Sequence, residues 1–332
     1  MKLLKLVPET TNIGFLKLRN PAVGLSLLLI IGSIALVFTN GLNFGVDFVG
    51  GQQIRVTFEE VEEAPIVELR ESIAALNLGE ANIQRFGEAN EVAIRMRLNA
   101  EAGDELQEAD SATIAITSTI TETFADQGAR IDGVDAVSGK VSGELLTTGV
   151  YSLIFALIAI SIYIWFRFEW QFGVGALFAL FHDVALTFGF FALTQIEFNL
   201  NIIAALLTII GYSLNDTIVI DDRIRENLRK YRKMEIANLL DLSLNETLAR
   251  TVSTSLTMVF VLVSLVFLGP DVIFGFSAAM LLGVIVGTYS SVYIASPVLI
   301  WLGVGPDSFL PVESDSEKAQ RRLAEGYDGA QP

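Results

Sequence analysis

The chain has no cysteine and a single histidine among its 332 residues. Without cysteine no disulfide can brace it, which permits a domain in an oxidising compartment without proving one. One histidine cannot build a His/Cys metal cluster, and that residue, His182, falls inside a predicted membrane span. A Gly-rich phosphate loop and a nucleophile with a plausible base are missing too, so neither enzymatic chemistry nor a cofactor is expected. Charge is also scarce. Only 18% of residues are charged while 52% are hydrophobic, too apolar for an ordinary soluble domain.

What is present is apolar chain in long runs. Six of them reach the roughly twenty residues needed to cross about 30 Å of hydrocarbon: 21–39, 147–166, 172–194, 199–220, 248–269 and 272–302. The last is long enough to tilt, or to break near Gly283 and Gly287. The first is followed by Thr39-Asn40-Gly41-Leu42-Asn43, which offers no small-x-small cleavage site, so it reads as a retained anchor.

Basic residues set the orientation, because Lys and Arg in short segments stay on the cytoplasmic side. An even number of spans puts both termini on one side. Lys2, Lys5, Lys17, Arg19, Arg167, the cluster over 223–233, Arg250, Lys318, Arg321 and Arg322 all fall on that side or at its boundary. The short turns at 195–198 and 269–271 carry none. The expected layout is a cytoplasmic segment 1–20, an extracytoplasmic domain 40–146, a cytoplasmic loop 221–247 and a cytoplasmic tail 303–332. Residues 40–148 hold twenty Asp and Glu against seven Lys and Arg, which argues against nucleic acid as a partner and for a solvated acidic surface.

Within that segment the period changes to that of short soluble elements. Residues 52–58 alternate, with Ile54, Val56 and Phe58 on one face, as a half-buried strand does. Pro65 opens a helix carrying Ile66, Leu69, Ile73 and Leu76. Strands follow at 82–86 and 92–98, the second with Val92, Ile94, Met96 and Leu98 on one face; they flank a turn at Gly87-Glu88-Ala89-Asn90. A helix over 104–126 carries Leu106, Ile114, Ile120 and Phe124, and a last strand covers 129–137. The order β-α-β-β-α-β is ferredoxin-like. The fold class is therefore a polytopic α-helical membrane protein of six transmembrane helices with one α+β extracytoplasmic domain.

Two glycine-rich junctions tie this domain to the membrane. Gly45-Val46-Asp47-Phe48-Val49-Gly50-Gly51 follows the first span, and Gly139, Gly143 and Gly149 precede the second. They read either as turns or as a pair of hinges that let the domain swing.

Inside the spans the rare charges carry the functional signal. An ionised Asp at a helix centre costs about 2.5 to 3.5 kcal/mol on insertion scales, so such residues are paired, wetted or functional. Asn215-Asp216 interrupts the fourth span, and Ser213, Asp216 and Thr217 share a face there. Ser243-x-x-Glu246 reads as a capping box that starts the fifth span, placing Arg250 a turn or two inside, where it either snorkels to the interface or pairs with Asp216. His182-Asp183 in the third span is a second buried candidate. Adjacent helical residues point about 100° apart and can each find a different partner, with Thr187 extending the Asp183 face. In the sixth span Gly275, Ala279, Gly283 and Gly287 recur every four residues, which lets helices approach closely.

These residues resemble the SecF family of the bacterial SecD/SecF protein-export complex, within the resistance-nodulation-division superfamily. The resemblance is carried by Gly45-x-Asp47-Phe48-x-Gly50-Gly51, by Phe181-His182-Asp183, and above all by Tyr212-Ser213-Leu214-Asn215-Asp216-Thr217-Ile218-Val219-Ile220 with Asp222-Arg223-Ile224-Arg225-Glu226-Asn227. It implies a subunit that works with SecD beside the SecYEG channel, with YajC as a further candidate partner, using the proton gradient to draw a translocating polypeptide across the lipid bilayer. It also implies that Asp216 is the coupling carboxylate, Arg250 its fifth-span arginine and Asp47 the junction Asp. One departure stands at Val137-Ser138-Gly139, where the family tends to show Val-Gly-Pro. Other readings are half of a proton-driven small-molecule exporter, set against by the single small outer domain, and a non-transporting scaffold, which predicts tolerance at Asp216 and Arg250.

Overall fold

The computed structural model describes residue 8 and residues 11–78, 81–96 and 105–305. Leu98, the basic residues Lys2, Lys5, Lys318, Arg321 and Arg322, and the tail from 306 onward lie outside the described residues.

After a 3-10 turn, Phe15–Leu18, helix α1 (Arg19–Asn40) runs to Gly41. The outer domain follows: a one-turn helix α2 (Val46–Val49), β1 (Gly51–Phe58), α3 (Ile66–Ala74), β2 (Ala81–Arg85), β3 (Glu91–Met96), α4 (Glu105–Thr123) and β4 (Ala129–Val137). The sheet is antiparallel in the order β2-β3-β1-β4, the ferredoxin-like arrangement expected from the element order. Alternation explains the core: Ile54, Val56 and Phe58 of β1 and Val92, Ile94 and Met96 of β3 point the same way and are buried with Leu69, Ile73, Ile120 and Phe124. Ile114 departs from expectation. It is 67% exposed, and Ile116 is buried instead, because the inward face of α4 runs through Ala112, Ile116 and Ile120 at four-residue steps.

The bundle is completed by α5 (Gly139–Arg167), α6 (Trp170–Thr194), α7 (Leu200–Lys230), α8 (Ile236–Leu268), α9 (Phe274–Ser290), a π turn Ser291–Ala295 and α10 (Ser296–Trp301). Among the described residues six helical spans are long and apolar enough to cross a membrane, and the chain is a multi-pass membrane protein. Helices α1 and α5 turn large apolar side chains outward, Leu28, Ile31, Phe38, Phe155 and Trp165 among them, as a lipid-facing helix does.

Three details differ from the sequence reading. The second span begins at Gly139 and not at 147, so Gly139 and Gly143 are helical. Helix also replaces most of the expected loop 221–247. There Arg223 Nε reaches Glu246 Oε2 at 2.7 Å, and Asn227 Nδ2 donates to Glu246 Oε2 at 2.7 Å and to Ser243 Oγ at 3.0 Å. Ser243 and Glu246 therefore do not cap a helix start; they lie inside α8, where Ser243 Oγ donates to the Leu239 carbonyl at 2.8 Å, and they clamp α8 to α7. The sixth span continues as helix through Gly283 and Gly287 and widens beyond them, at the π turn. Pro297 has no N–H to donate and its ring crowds the preceding turn, so the backbone widens upstream, and Ser296 Oγ donates to the Ser291 carbonyl at 3.2 Å.

Helix α7 lies in the middle of the bundle, packed against α5, α6, α8 and α9. The small stripe of α9 makes that possible. A Cβ at Gly283 would run into Ile209, one at Gly287 would lie 3.0 Å from Ser213 Cβ, and one at Gly275 would lie 3.3 Å from Ile202 Cδ1.

Candidate functional site

The central helix delivers Ser213, Asp216 and Thr217 to the bundle interior, where each is 2–4% exposed. Thr217 returns its hydroxyl to the Ser213 carbonyl at 3.3 Å, holding that face together. Asp216 Oδ2 is buried and accepts no hydrogen bond. Arg250 and Ser255 of α8 are the groups that act on this carboxylate. Arg250 itself is exposed, and among the described residues no ion pair within 4 Å joins it to Asp216. Of the two readings of Arg250, the direct pair is not formed. Asn215 points outward from the same turn.

The second buried candidate is a hydrogen-bonded network in which His182 Nε2 is buried without a partner. His182 Nδ1 and Asp183 Oδ1 are joined at 2.9 Å, with the two side chains 1% and 0% exposed. They bond each other, the ring folding back onto the neighbouring carboxylate inside the packed bundle. The other carboxylate oxygen, Oδ2, accepts the Ser213 hydroxyl at 2.5 Å and the Ser290 hydroxyl at 2.9 Å. Thr187 bonds the Asp183 carbonyl at 2.8 Å, not its carboxylate. Tyr289 stacks on His182 with centroids 6.0 Å apart and donates to the Ala22 carbonyl at 2.9 Å. One carboxylate thus ties α6 to α7 and α9, and Tyr289, stacked on the neighbouring ring, reaches α1. A buried carboxylate is tolerated when its oxygens find partners, and both oxygens of Asp183 have them. Ser290 and Tyr289 were missed in the sequence; the signal for them was the polar run Thr288-Tyr289-Ser290-Ser291 inside an apolar span.

At the outer end, the first junction is folded against the turn between α6 and α7. Gly45 N–H donates to the Phe198 carbonyl at 2.9 Å, and Phe198 N–H to the Asn43 carbonyl at 2.8 Å. Asp47 Oδ2 accepts the Leu200 N–H at 2.8 Å. Asn199, the residue at the helix start, makes no side-chain cap, so Asp47 supplies one from across the junction. Its negative charge also suits the positive end of the α7 dipole. Gly50 and Gly51 have φ of 76° and 115°, which other residues rarely adopt, and they swing the chain from α2 into β1.

The second junction is not a loop. Ser138 Oγ accepts the Val141 N–H at 3.4 Å, so α5 starts at once; here Ser138 caps a helix that Gly139 opens, in place of the glycine and proline of the family pattern. Gly139 also touches the first junction, since a Cβ on Gly50 would lie 3.0 Å from Gly139 Cα. Gly143 has open space around it.

Six apolar spans around a buried polar cluster, with one ferredoxin-like domain at the outer end, define a multi-pass membrane subunit of the transport class. The family description "Protein export membrane protein SecD/SecF, C-terminal" matches residues 116–305, and "SecD/SecF GG Motif" matches residues 35–60. The chain belongs to the SecF family of protein translocase subunits. It is 44% identical to the SecF subunit of Rhodobacter capsulatus over 91% of this chain and 92% of that one. To the SecF subunit of Vibrio alginolyticus it is 38% identical over 96% and 98%. Among solved structures it resembles SecDF of Thermus thermophilus, described as a translocon-associated membrane protein, with TM-score 0.76 and 33% identity over 89% of this chain. A SecDF in a super-membrane-facing form gives TM-score 0.61 and 31% identity over 98%. The chain spans 39% and 41% of those two longer chains.

Proposed function

We propose that the chain is the SecF-type half of a SecD/SecF assembly, an accessory subunit of the Sec translocase that uses the proton gradient to drive late steps of protein export. The observation that carries this reading is Asp216: a buried carboxylate oxygen without a hydrogen bond, beside an arginine that leaves it unpaired. A carboxylate so placed can take up and release a proton with small rearrangements of its neighbours.

An exposed stripe on the same helix supports the reading that a partner docks there. Ala204, Thr208, Gly211 and Asn215 form an exposed stripe along α7, and a Cβ on Gly211 would meet nothing within 4 Å. An amide, a hydroxyl and bare backbone in mid-span suit close approach of another helix better than lipid. A SecD bundle docked there would cover Asn215 and Arg250 and complete the surroundings of Asp216. With both termini in the cytoplasm of a bacterial cell, the outer domain meets the translocating polypeptide as it leaves SecYEG; YajC is a further candidate neighbour.

One elementary charge crossing 100 mV yields about 2.3 kcal/mol, enough to bias a domain between two orientations by tens of fold. In vesicles reconstituted with SecYEG and SecD and carrying an imposed proton gradient, Asp216→Asn abolishes the gradient-dependent part of export. Export at the wild-type level would overturn the proposal in favour of a scaffold.

A further inference from the structure

Beyond the first junction, the sheet of the outer domain meets the membrane bundle through a largely buried polar cluster. Arg95, on β3, sends Nη2 to Glu197 Oε2 at 2.6 Å, Nε to Gln53 Oε1 at 2.8 Å and Nη1 to Asn43 Oδ1 at 2.8 Å. Its side chain and that of Glu197 are only 13% and 11% exposed. Gln53, opposite Arg95 in the sheet, also reaches Glu197 Oε2, at 3.4 Å. Glu197 lies in the turn that leads directly into α7, one residue before the aromatic Phe198 and three before Leu200, whose N–H Asp47 caps.

Two properties distinguish this contact from ordinary packing. The domain has its own apolar core, made wholly of its own residues, so lifting it off the bundle need not open that core. Clefts of about 1150 Å³ and 690 Å³, both lined in part by Asn43 and Arg95, flank the cluster, so the seam beside it is open. A charged, hydrogen-bonded strut between two open clefts can be released into water, where each group finds new partners, at far lower cost than an apolar interface.

We propose that Arg95 and Glu197 form a latch that sets the docked position of the outer domain and are positioning residues for gradient-driven export. Closed, the latch holds β3 against the turn that starts the Asp216 helix; open, it frees the domain to move on the Gly50-Gly51 bend. Glu197 and Asp47 act on the same helix end, about 24 Å from Asp216 at 1.5 Å per residue, so rearrangement around Asp216 and release of the latch share one rigid element. This role rests on the transport function proposed above.

The absence of native cysteine makes the test clean. Cysteines introduced at Ser118 on α4 and Thr194 at the end of α6 carry spin labels in the full SecD/SecF complex, and their distance distribution is read beside gradient-driven export. Arg95→Ala and Glu197→Gln each add a longer-distance population, changing the docked-to-undocked ratio by about tenfold or more, as expected for removing one member of a buried pair. Glu197→Gln leaves the outer domain itself untouched, so its effect is not one of misfolding. Both variants lower gradient-driven export severalfold, and the swap Arg95→Glu with Glu197→Arg restores distance and export together. Unchanged distances in the single variants overturn the latch, and so do shifted distances with wild-type export. Asp216→Asn measured in the same vesicles keeps the two proposals apart: wild-type export there removes the coupling role, while the distance measurement still judges the latch.

Discussion

Two carboxylates sit in adjacent spans of the bundle, and their surroundings are opposite. Asp183 is fully buried, with His182 on one oxygen and two serine hydroxyls on the other. Asp216, one turn along α7 from the Ser213 that serves Asp183, is 4% exposed and has an oxygen with no hydrogen bond. A satisfied buried carboxylate joins helices; an unsatisfied one is able to change state. Residue type alone does not separate the two surroundings, and the donors around each do.

That contrast can be broken in order of expected effect on stability. Asp183→Ala removes the acceptor shared by α6, α7 and α9, leaves His182 Nδ1 unpaired, and lowers stability by about 3–5 kcal/mol, read as a fall in Tm of the purified complex. A loss below about 1 kcal/mol would mean that Asp183 is not the joint of the bundle. Gly283→Ala places a methyl against Ile209 at the tightest crossing of α9 on α7 and costs about 1–3 kcal/mol through overpacking, measured by the same melt. Asp47→Ala uncaps α7 and costs about 1 kcal/mol; hydrogen exchange at Leu200 and the next turn checks it locally, and unaltered protection there would rule the cap out. At the other end of the scale, Asp216→Asn leaves Tm no lower than wild type, because it removes a charge from an apolar interior and no hydrogen bond to Oδ2 is lost. A marked fall in Tm would place Asp216 with Asp183 as a structural group.

Much of the architecture was legible in one dimension. Hydropathy runs longer than the bilayer thickness marked six spans, and alternation of period two marked the strands of the outer domain, because burial on one face or on all faces is a local property of sequence. The misreadings share a cause. Ser243 and Glu246 carry a capping pattern, yet Asn227 and Arg223 on the facing helix engage them, so α8 starts earlier. Ile114 is as hydrophobic as a core residue yet stays exposed, because the phase of α4 is set by the burial of Ile116 and Ile120. Gly139 looked like part of a hinge, and the structure uses it for close contact with Gly50 at a helix start.

The sequence by itself determined the class of the protein, the number of its spans, the ferredoxin-like order of its outer domain and the presence of costly polar residues at 182, 183, 216 and 250. Only the tertiary structure decided which carboxylate is satisfied, that Arg250 stays apart from Asp216, and that Arg95 meets Glu197 across the seam between domain and membrane. The reason is physical. Span length and periodicity are fixed along the chain, whereas a hydrogen bond between helices depends on their rotation, depth and separation, and here those are set by glycines of α9 that let α7 come close enough for Ser213 and Ser290 to share one carboxylate.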